Sequence, residues 1–588
     1  MEDAGVGQTP KDISPIQKVS RRKLSQILAR NLLREERFFL VLSIIIGIVS
    51  GLAVVAFRYA IEWIRVHLLG SELTASHARL LVVPSLTGIV IATLVIHLFP
   101  RARGSGVNQT KAAVYIYNGY IPFRTAIGKF ITAALAIGSG QSLGPEDPSL
   151  QIGAAIASTL GRRLRLSRDR MRLLAPVGAA AGLAAAFNAP ISAVLFVIEE
   201  VVGRWSVGVL GSIVLSAVSS VVVMRGFLGS EPLFRIPAVE LRHAWELIAY
   251  GALGVAGGLA SLVLAGGIAV LRPKLKALPR WTQYLQPALA GLVIGLIALL
   301  GAPQVMGAGY GFIDNAMQGK YTWEFLGILA GLKILSTTVS FTSGTPGGMF
   351  APTLFIGAML GASVAGIEHA SLPHLPASAA TYAMVGMGVL FAGFLRAPMT
   401  SVFMVLEVSG NYSIIVPVIL ANAIAYVISR SFQPVPVFEM LTLQDGLYLP
   451  SMEEQREESE LHIEDAMQPV VAPVLQGSEA IADAMKSLSQ YKGLEEDSVV
   501  LVQCSDRLWY AAKYEELQAL FSKPDEPGLL EARLGKERTP LLFPDLPLAS
   551  TLPHFKRWTL LPITNRAIRG ALEGAVSMSD VLKRYQGR

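Results

Sequence analysis

Gly144-Pro145-Glu146-Asp147-Pro148-Ser149-Leu150-Gln151-Ile152-Gly153 is the stretch whose reading decides the fold. An apolar run, Phe130–Ile137, and a glycine hinge, Gly138-Ser139-Gly140, precede it, and a small-residue apolar run, Ala154–Leu160, follows. Two carboxylates therefore stand where their neighbours indicate hydrocarbon depth. Charge at that depth is costly and faces a cavity or a partner rather than lipid. Glycine and proline break the helix there, which a membrane protein tolerates only where the backbone is buried in protein or lines a wet path. A helix restarting near Pro145 would aim unpaired N–H groups and the positive end of its dipole at an anion, with Glu146 as a built-in competitor. In a soluble protein the same residues would be an ordinary helix start, with acids complementing the dipole. Recurrence of the segment decides between the two.

The segment recurs. Gly348-Met349-Phe350-Ala351-Pro352-Thr353-Leu354-Phe355-Ile356-Gly357-Ala358 lines up with Gly144–Ala154 at an offset of 204 residues, and Lys129 matches Lys333 at the same offset. Phe187-Asn188-Ala189-Pro190-Ile191-Ser192-Ala193-Val194 matches Leu395-Arg396-Ala397-Pro398-Met399-Thr400-Ser401-Val402 at an offset of 208, and Glu199 then aligns with Glu407. A nearly constant offset over three blocks argues against chance similarity of alanine-rich helices. Two related halves, each with a broken helix, are the pattern of transporter repeats with a site between them. Phe350 takes the place of Glu146 in the second copy, so one half alone carries the acid.

Composition agrees. Of 588 residues, 52% are hydrophobic and 16% charged, with 55 glycines, and the mean hydropathy is +0.49. This composition predicts a polytopic helical membrane protein. Spans are predicted at Phe38–Leu69, Ala78–Phe99, Val207–Val223, Leu247–Leu271, Leu285–Leu300, Tyr382–Phe394, Met399–Leu406 and Ile414–Ile428. The net charge of +7 reads as positive-inside bias, because no basic stripe with interleaved aromatics points to nucleic acid. The single cysteine, Cys504, supports neither a disulfide framework nor a multi-cysteine metal site, and the eight histidines are scattered. No metal ligand set and no nucleophile–base constellation argues for an enzyme.

The chain divides into four parts. Residues 1–37 are an N-terminal segment without the apolar core of a signal peptide. Leu24, Ile27, Leu28 and Leu32 share a helical face among basic residues there, as an interfacial helix or a solvated basic tail would require. Residues 38–441 are the membrane domain. Residues 442–462 are a linker, with acids at Glu453, Glu454, Glu457, Glu458 and Glu460. Residues 463–588 read as a soluble α/β unit in which helix–strand–strand–helix occurs twice.

These motifs together resemble the CLC family of chloride channels and proton-coupled chloride exchangers over roughly Phe38–Leu441. The resemblance implies an all-α polytopic membrane domain with inverted repeats and broken helices, followed by an α/β pair of CBS domains. It implies that Gly104-Ser105-Gly106 is the first anion loop, with Ser105 and Gly106 at the anion. Gly144-Pro145-Glu146-Asp147-Pro148 resembles the second, with Gly144 in the loop and Glu146 as the gating glutamate. Gly348-Met349-Phe350-Ala351-Pro352 resembles the third, with the Met349 and Phe350 amides at the anion. Glu200 stands at the position of an internal proton-transfer acid, which resembles exchangers. Glu199 reads as structural, and a helix-end pairing with Arg204 is the alternative role for either acid.

The chain departs from the family pattern in four ways. Pro145 and Asp147 flank the gating acid where a basic residue and a glycine are usual, and proline removes a donor. Val107 and Asn108 follow Gly106 in place of an Ile-Pro pair. Phe438 stands where relatives carry an anion-coordinating tyrosine; it can wall the pore or simply pack, but it offers no hydroxyl. Ser577-Met578-Ser579-Asp580 resembles the ribose-contacting corner of a CBS module, with Ser577 and Asp580 at an adenine nucleotide, whereas Lys513-Tyr514-Glu515-Glu516 in the first copy departs from it. A structural dimer contact is the alternative there. The implied activity is chloride transport coupled to protons, with a passive voltage- or pH-gated chloride channel as the alternative. The implied setting is a homodimer in the cell's inner membrane with both termini cytoplasmic.

Overall fold

The computed structural model describes residues 15–70, 73, 76–203, 207–234, 246–371, 378–447, 449, 461–470, 472–491, 494–521, 528–535, 537–566, 568 and 570–586. Residues 1–14, Arg204 and most of the acidic linker lie outside these described residues. The chain forms two compact units, Met1–Ser451 and Met452–Arg588.

The first unit is helical and built twice. Its first half runs α1 (Pro15–Leu69), α2 (His77–Thr93), α3 (Gly106–Tyr115), α4 (Phe123–Gly138), α5 (Glu146–Arg163), α6 (Arg168–Phe187), α7 (Pro190–Phe196) and α8 (Val207–Leu228). The second half runs α9 (Glu246–Ala277), α10 (Gln286–Leu299), α11 (Tyr310–Met317), α12 (Trp323–Thr342), α13 (Phe350–Ser371), α14 (Ala379–Leu395), α15 (Pro398–Ser409) and α16 (Ile415–Phe432), and α17 (Val437–Gln444) closes the unit. The starts of α3 and α11, and of α5 and α13, are 204 residues apart, whereas the starts of α7 and α15, and of α8 and α16, are 208 apart. The offsets seen in the sequence are therefore offsets between whole helices.

Seven helices among the described residues are long and apolar enough to cross a membrane, and α10, α14 and α15 are shorter apolar helices. Exposed Leu, Ile and Val on α2, α9 and α10 face outward, while alanine and glycine fill the interior, as close helix packing without a hydrophobic driving force requires. The tightest crossings are duplicated. A Cβ on Gly153 would collide with the carbonyl of Gly178, and one on Gly357 with the carbonyl of Gly386. Only glycine lets α5 lie on α6, and α13 on α14, at that spacing.

One expectation changes at the N-terminus. The basic segment around Leu24–Leu32 is continuous with the first span in a single 55-residue helix. No glycine or proline interrupts residues 16–46, so the backbone has no reason to stop.

The second unit holds two small cores. The short α18 (Ile463–Ala466) packs into the second core, and the first core has β1 (Val474–Gln476), α19 (Ile481–Leu488), β2 (Val499–Gln503), β3 (Trp509–Lys513) and α20 (Tyr514–Phe521). Its β1 runs parallel to β2, and β2 pairs antiparallel with β3. After α21 (Leu530–Arg533), the second has a 3-10 segment (Leu548–Lys556), β4 (Leu560–Thr564) antiparallel to β5 (Leu572–Ser577), and α22 (Met578–Gln586). Helix–strand–strand–helix thus occurs twice, except that Pro553 leaves the second opening helix a 3-10 turn.

Candidate functional site

The two broken helices meet start to start. Gly144 N–H donates to the Gly348 carbonyl and Gly348 N–H to the Gly144 carbonyl, each at 2.8 Å, an isolated antiparallel bridge. Immediately beyond it α5 begins at Glu146 and α13 at Phe350, so their first-turn amides converge. The preceding turns also correspond, since Gly140 and Gly344 both adopt positive φ, 102° and 82°.

Buried lysines hold the neighbouring loops. Lys129 Nζ donates to the carbonyls of Ala102 (3.2 Å) and Gly104 (2.5 Å). Its counterpart Lys333 donates to those of Val305 (2.9 Å) and Gly307 (2.7 Å). Each ammonium draws carbonyls toward itself and fixes the loop before the following helix, so that α3 presents its first N–H groups and α11 its Tyr310 hydroxyl to the site.

Glu146 is fully buried. Its carboxylate accepts from the Tyr310 hydroxyl and, at 3.3 Å, from the amide of Ala351. The amide that engages it is one residue beyond Met349 and Phe350, both of which lie buried at the same helix start. Tyr310 escaped the sequence reading. The signal available was Gly307-Ala308-Gly309, the second copy of Gly104-Ser105-Gly106, which puts Tyr310 on the first turn of α11.

Asp147, also fully buried, reaches the other way. Ser105 Oγ donates to its Oδ2 at 2.8 Å, Val107 N–H to its Oδ1 at 3.1 Å, and Gly106 N–H to the same Oδ1. The donors expected to face a free anion thus hold a carboxylate of the protein itself. A Cβ on Gly106 would strike that carboxylate, so glycine is required for the approach.

Phe350 and Phe438 belong to an aromatic wall. The Phe350 ring lies 4.9 Å from Phe196, 5.5 Å from Phe391, 5.9 Å from Phe187 and 6.3 Å from Phe438. Asn108 Nδ2 donates to the Phe438 carbonyl at 3.1 Å, which ties α17 to α3. The ring itself contributes packing, not a hydrogen bond.

Glu200 is buried at the end of α7, in a π-helical turn, Val197–Val202. Lys111 Nζ on α3 donates to its Oε1 at 3.1 Å, and both side chains are more than nine-tenths buried. The equivalent helix of the second half, α15, stays α-helical to Ser409. Single π-turns within α-helices are frequent at functional sites. Glu199, one residue earlier, turns away and accepts from the amides of Met399 (3.3 Å) and Thr400 (3.0 Å) at the start of α15.

Two cavities approach the site. One, of about 810 Å³, is lined by Arg58, Arg65, Lys320, Pro145 and Tyr310. The other, of about 460 Å³, is lined by Arg103, Arg272, Lys276, Ser105, Asn108 and Gln151. Pro145 in one cavity and Gln151 in the other are successive points on one chain segment, so Glu146 and Asp147 lie between them. Glu62 in the first wall pairs with Arg65, and Asp445 in the second with Arg272 and Lys276; the cations still outnumber the acids, and such walls raise the local concentration of anions at both mouths.

In the second unit Ser577 Oγ donates to Asp580 Oδ2 at 2.5 Å, and Ser577 N–H donates to the same atom at 3.0 Å. These two residues satisfy one another at the start of α22, and neither lines the 410 Å³ cavity formed by Gln476, Gln503, Cys504, Arg507 and Gly570 among others.

A sequence profile described as voltage gated chloride channel matches residues 87–430. An H(+)/Cl(-) exchange transporter ClcA of Vibrio campbellii is 31% identical over 441 residues, covering 72% of this chain and 93% of that protein. The crystal structure of a slow cyanobacterial Cl-/H+ antiporter superposes with a TM-score of 0.64 at 24% identity, over 71% of this chain and 99% of that one. A eukaryotic CLC transporter superposes with a TM-score of 0.61 at 19% identity, over 94% of this chain and 98% of that one. At these identities the two structures speak for the fold.

Proposed function

The chain belongs to the CLC family of chloride channels and proton/chloride exchangers, and from that premise we propose that it exchanges chloride for protons across a membrane through Glu146 and Glu200. Exchange is favoured over a passive channel by the buried acid at Glu200, which a channel does not need. The observation that carries the mechanism is Glu146 itself, a buried carboxylate on the Tyr310 hydroxyl and the Ala351 amide, between two cationic cavities.

An ionised Glu146 occupies a place that an anion could take. A proton removes its charge and weakens both hydrogen bonds, so the side chain leaves and chloride enters. Hydroxyl and amide donors then stand in for part of the chloride hydration shell. Glu200, held by Lys111, passes the proton to the opposite side. Ser105, Gly106, Gly144, Met349, Phe350 and Phe438 shape the anion path, the last by apolar walling. No covalent step occurs, and the protein acts as a transporter, not an enzyme.

The protein works as a homodimer in the inner membrane with both termini in the cytoplasm. The C-terminal unit is a CBS-like regulatory pair, and no transport step requires a nucleotide there. Proton movement driven by a chloride gradient in liposomes tests the central reading. Glu146→Gln and Glu200→Gln each abolish proton movement while chloride still flows. Undiminished proton movement in both variants would overturn the mechanism, and a reversal potential blind to an imposed pH gradient would mark a channel.

A further inference from the structure

The Asp147 carboxylate is a charged group at the heart of the site that the exchange mechanism leaves unused. It is fully buried and takes three donors on the first turn of α3, the helix whose preceding loop Lys129 holds. An anion bound at the start of α3 would use the same donors, a hydroxyl and two amides at a positive dipole end. Asp147 fills that place covalently tethered, one residue from the acid that fills the place at Tyr310 and Ala351.

We propose that Asp147 is a second gating carboxylate, a tethered anion seated on Ser105, Gly106 and Val107 that a transported halide must displace. This rests on the transport reading above and adds a second carboxylate in series with Glu146. The plain alternative is a permanent clamp joining α5 to α3. Two observations favour the gate. The 460 Å³ cavity reaches Ser105 and has Arg103, Arg272 and Lys276 in its wall, the last two paired with Asp445, so halide has a net cationic route to the cradle. The same wall carries Asn108 Oδ1 and Gln151 Oε1, buried oxygens without a protein partner. Buried polar atoms normally have a partner, so the packing of Asn108 and Gln151 beside the cradle is not closed, which suits an ion that must exchange there better than a permanent clamp.

Bromide is the probe, with the full chain as wild type, Asp147→Asn and Asp147→Gly. In crystals soaked in bromide, both variants gain an anomalous peak within hydrogen-bond distance of Ser105 Oγ and the Val107 amide, and the wild type has none there. Bromide affinity in detergent rises at least about tenfold in the variants, the equivalent of one charge-assisted hydrogen bond returned to the ligand. Absence of that peak from the variants, or equal occupancy in the wild type with Asp147 still in place, would overturn the gate and leave the clamp. Should Asp147→Gly fail to fold, Asp147→Asn decides, since it keeps the shape and an acceptor while losing the charge. A wild type inactive in liposomes would remove the exchange reading and leave the bromide result standing.

Discussion

Glu199 and Glu407 cap each other's helices. Glu199, at the end of α7, accepts from Met399 and Thr400 at the start of α15. Glu407, near the end of α15, accepts from Ile191 (2.9 Å) and Ser192 (2.7 Å) at the start of α7. The hydroxyls of Thr400 and Ser192 repeat the pattern at 2.5 and 2.6 Å. All three residue pairs are 208 apart, so the two halves exchange one contact under a pseudo-twofold.

These caps predict a structural phenotype. Glu199→Ala or Glu407→Ala leaves helix-start amides unpaired and lowers stability by about 1–2 kcal/mol each. The chloride-to-proton ratio of the surviving protein stays at the wild-type value. Thermal unfolding in detergent and paired flux measurements check both parts, and a changed ratio would give Glu199 a place in the proton path.

Tyr310 holds the gate. Tyr310→Phe removes a hydroxyl donor from the Glu146 carboxylate, a hydrogen bond to a charged group worth about 1.5–3 kcal/mol. Glu146 then leaves its seat more readily, chloride flux rises about tenfold or more, and fewer protons move per chloride. Flux unchanged from wild type would mean that Tyr310 only packs.

Lys111 and Glu200 act as a pair. Lys111→Met strands a buried carboxylate and costs about 3–5 kcal/mol, whereas Lys111→Met with Glu200→Gln recovers most of that loss. Proton transport falls in every variant lacking Glu200. A double-mutant cycle on stability, read beside proton flux, checks the coupling, and additive losses would show that the pair does not interact.

Gly357 tolerates no side chain. Gly357→Ala drives a methyl into the Gly386 carbonyl and costs about 1–3 kcal/mol through overpacking. Gly331, with open space around it, accepts the same change with little effect. Thermal stability of the two variants checks the contrast.

Much of this was legible in the sequence. The offsets of 204 and 208 carry over to helix starts, and Pro145-Glu146 is where α5 begins. What escaped was contact between residues distant in the chain. Asp147 stands beside Glu146 in sequence, but its partners lie about 40 residues back, and only tertiary structure brings Ser105 to it. Lys111 and Glu200 are 89 apart, Tyr310 and Glu146 are 164 apart. No local pattern encodes such pairs. The strand β1 is three residues long, below the length at which alternation is visible. The pairing of Glu200 with Arg204 lies outside the described residues, and the acid is held by Lys111.

The Gly144–Gly348 bridge constrains how this protein can move. The seam joins the halves backbone to backbone, so parting them there would break both hydrogen bonds, at a cost of about 1–3 kcal/mol in all. Swinging a carboxyl group on this frame disturbs neither bond, so the exchange of side-chain positions is the less costly way to open and close the path.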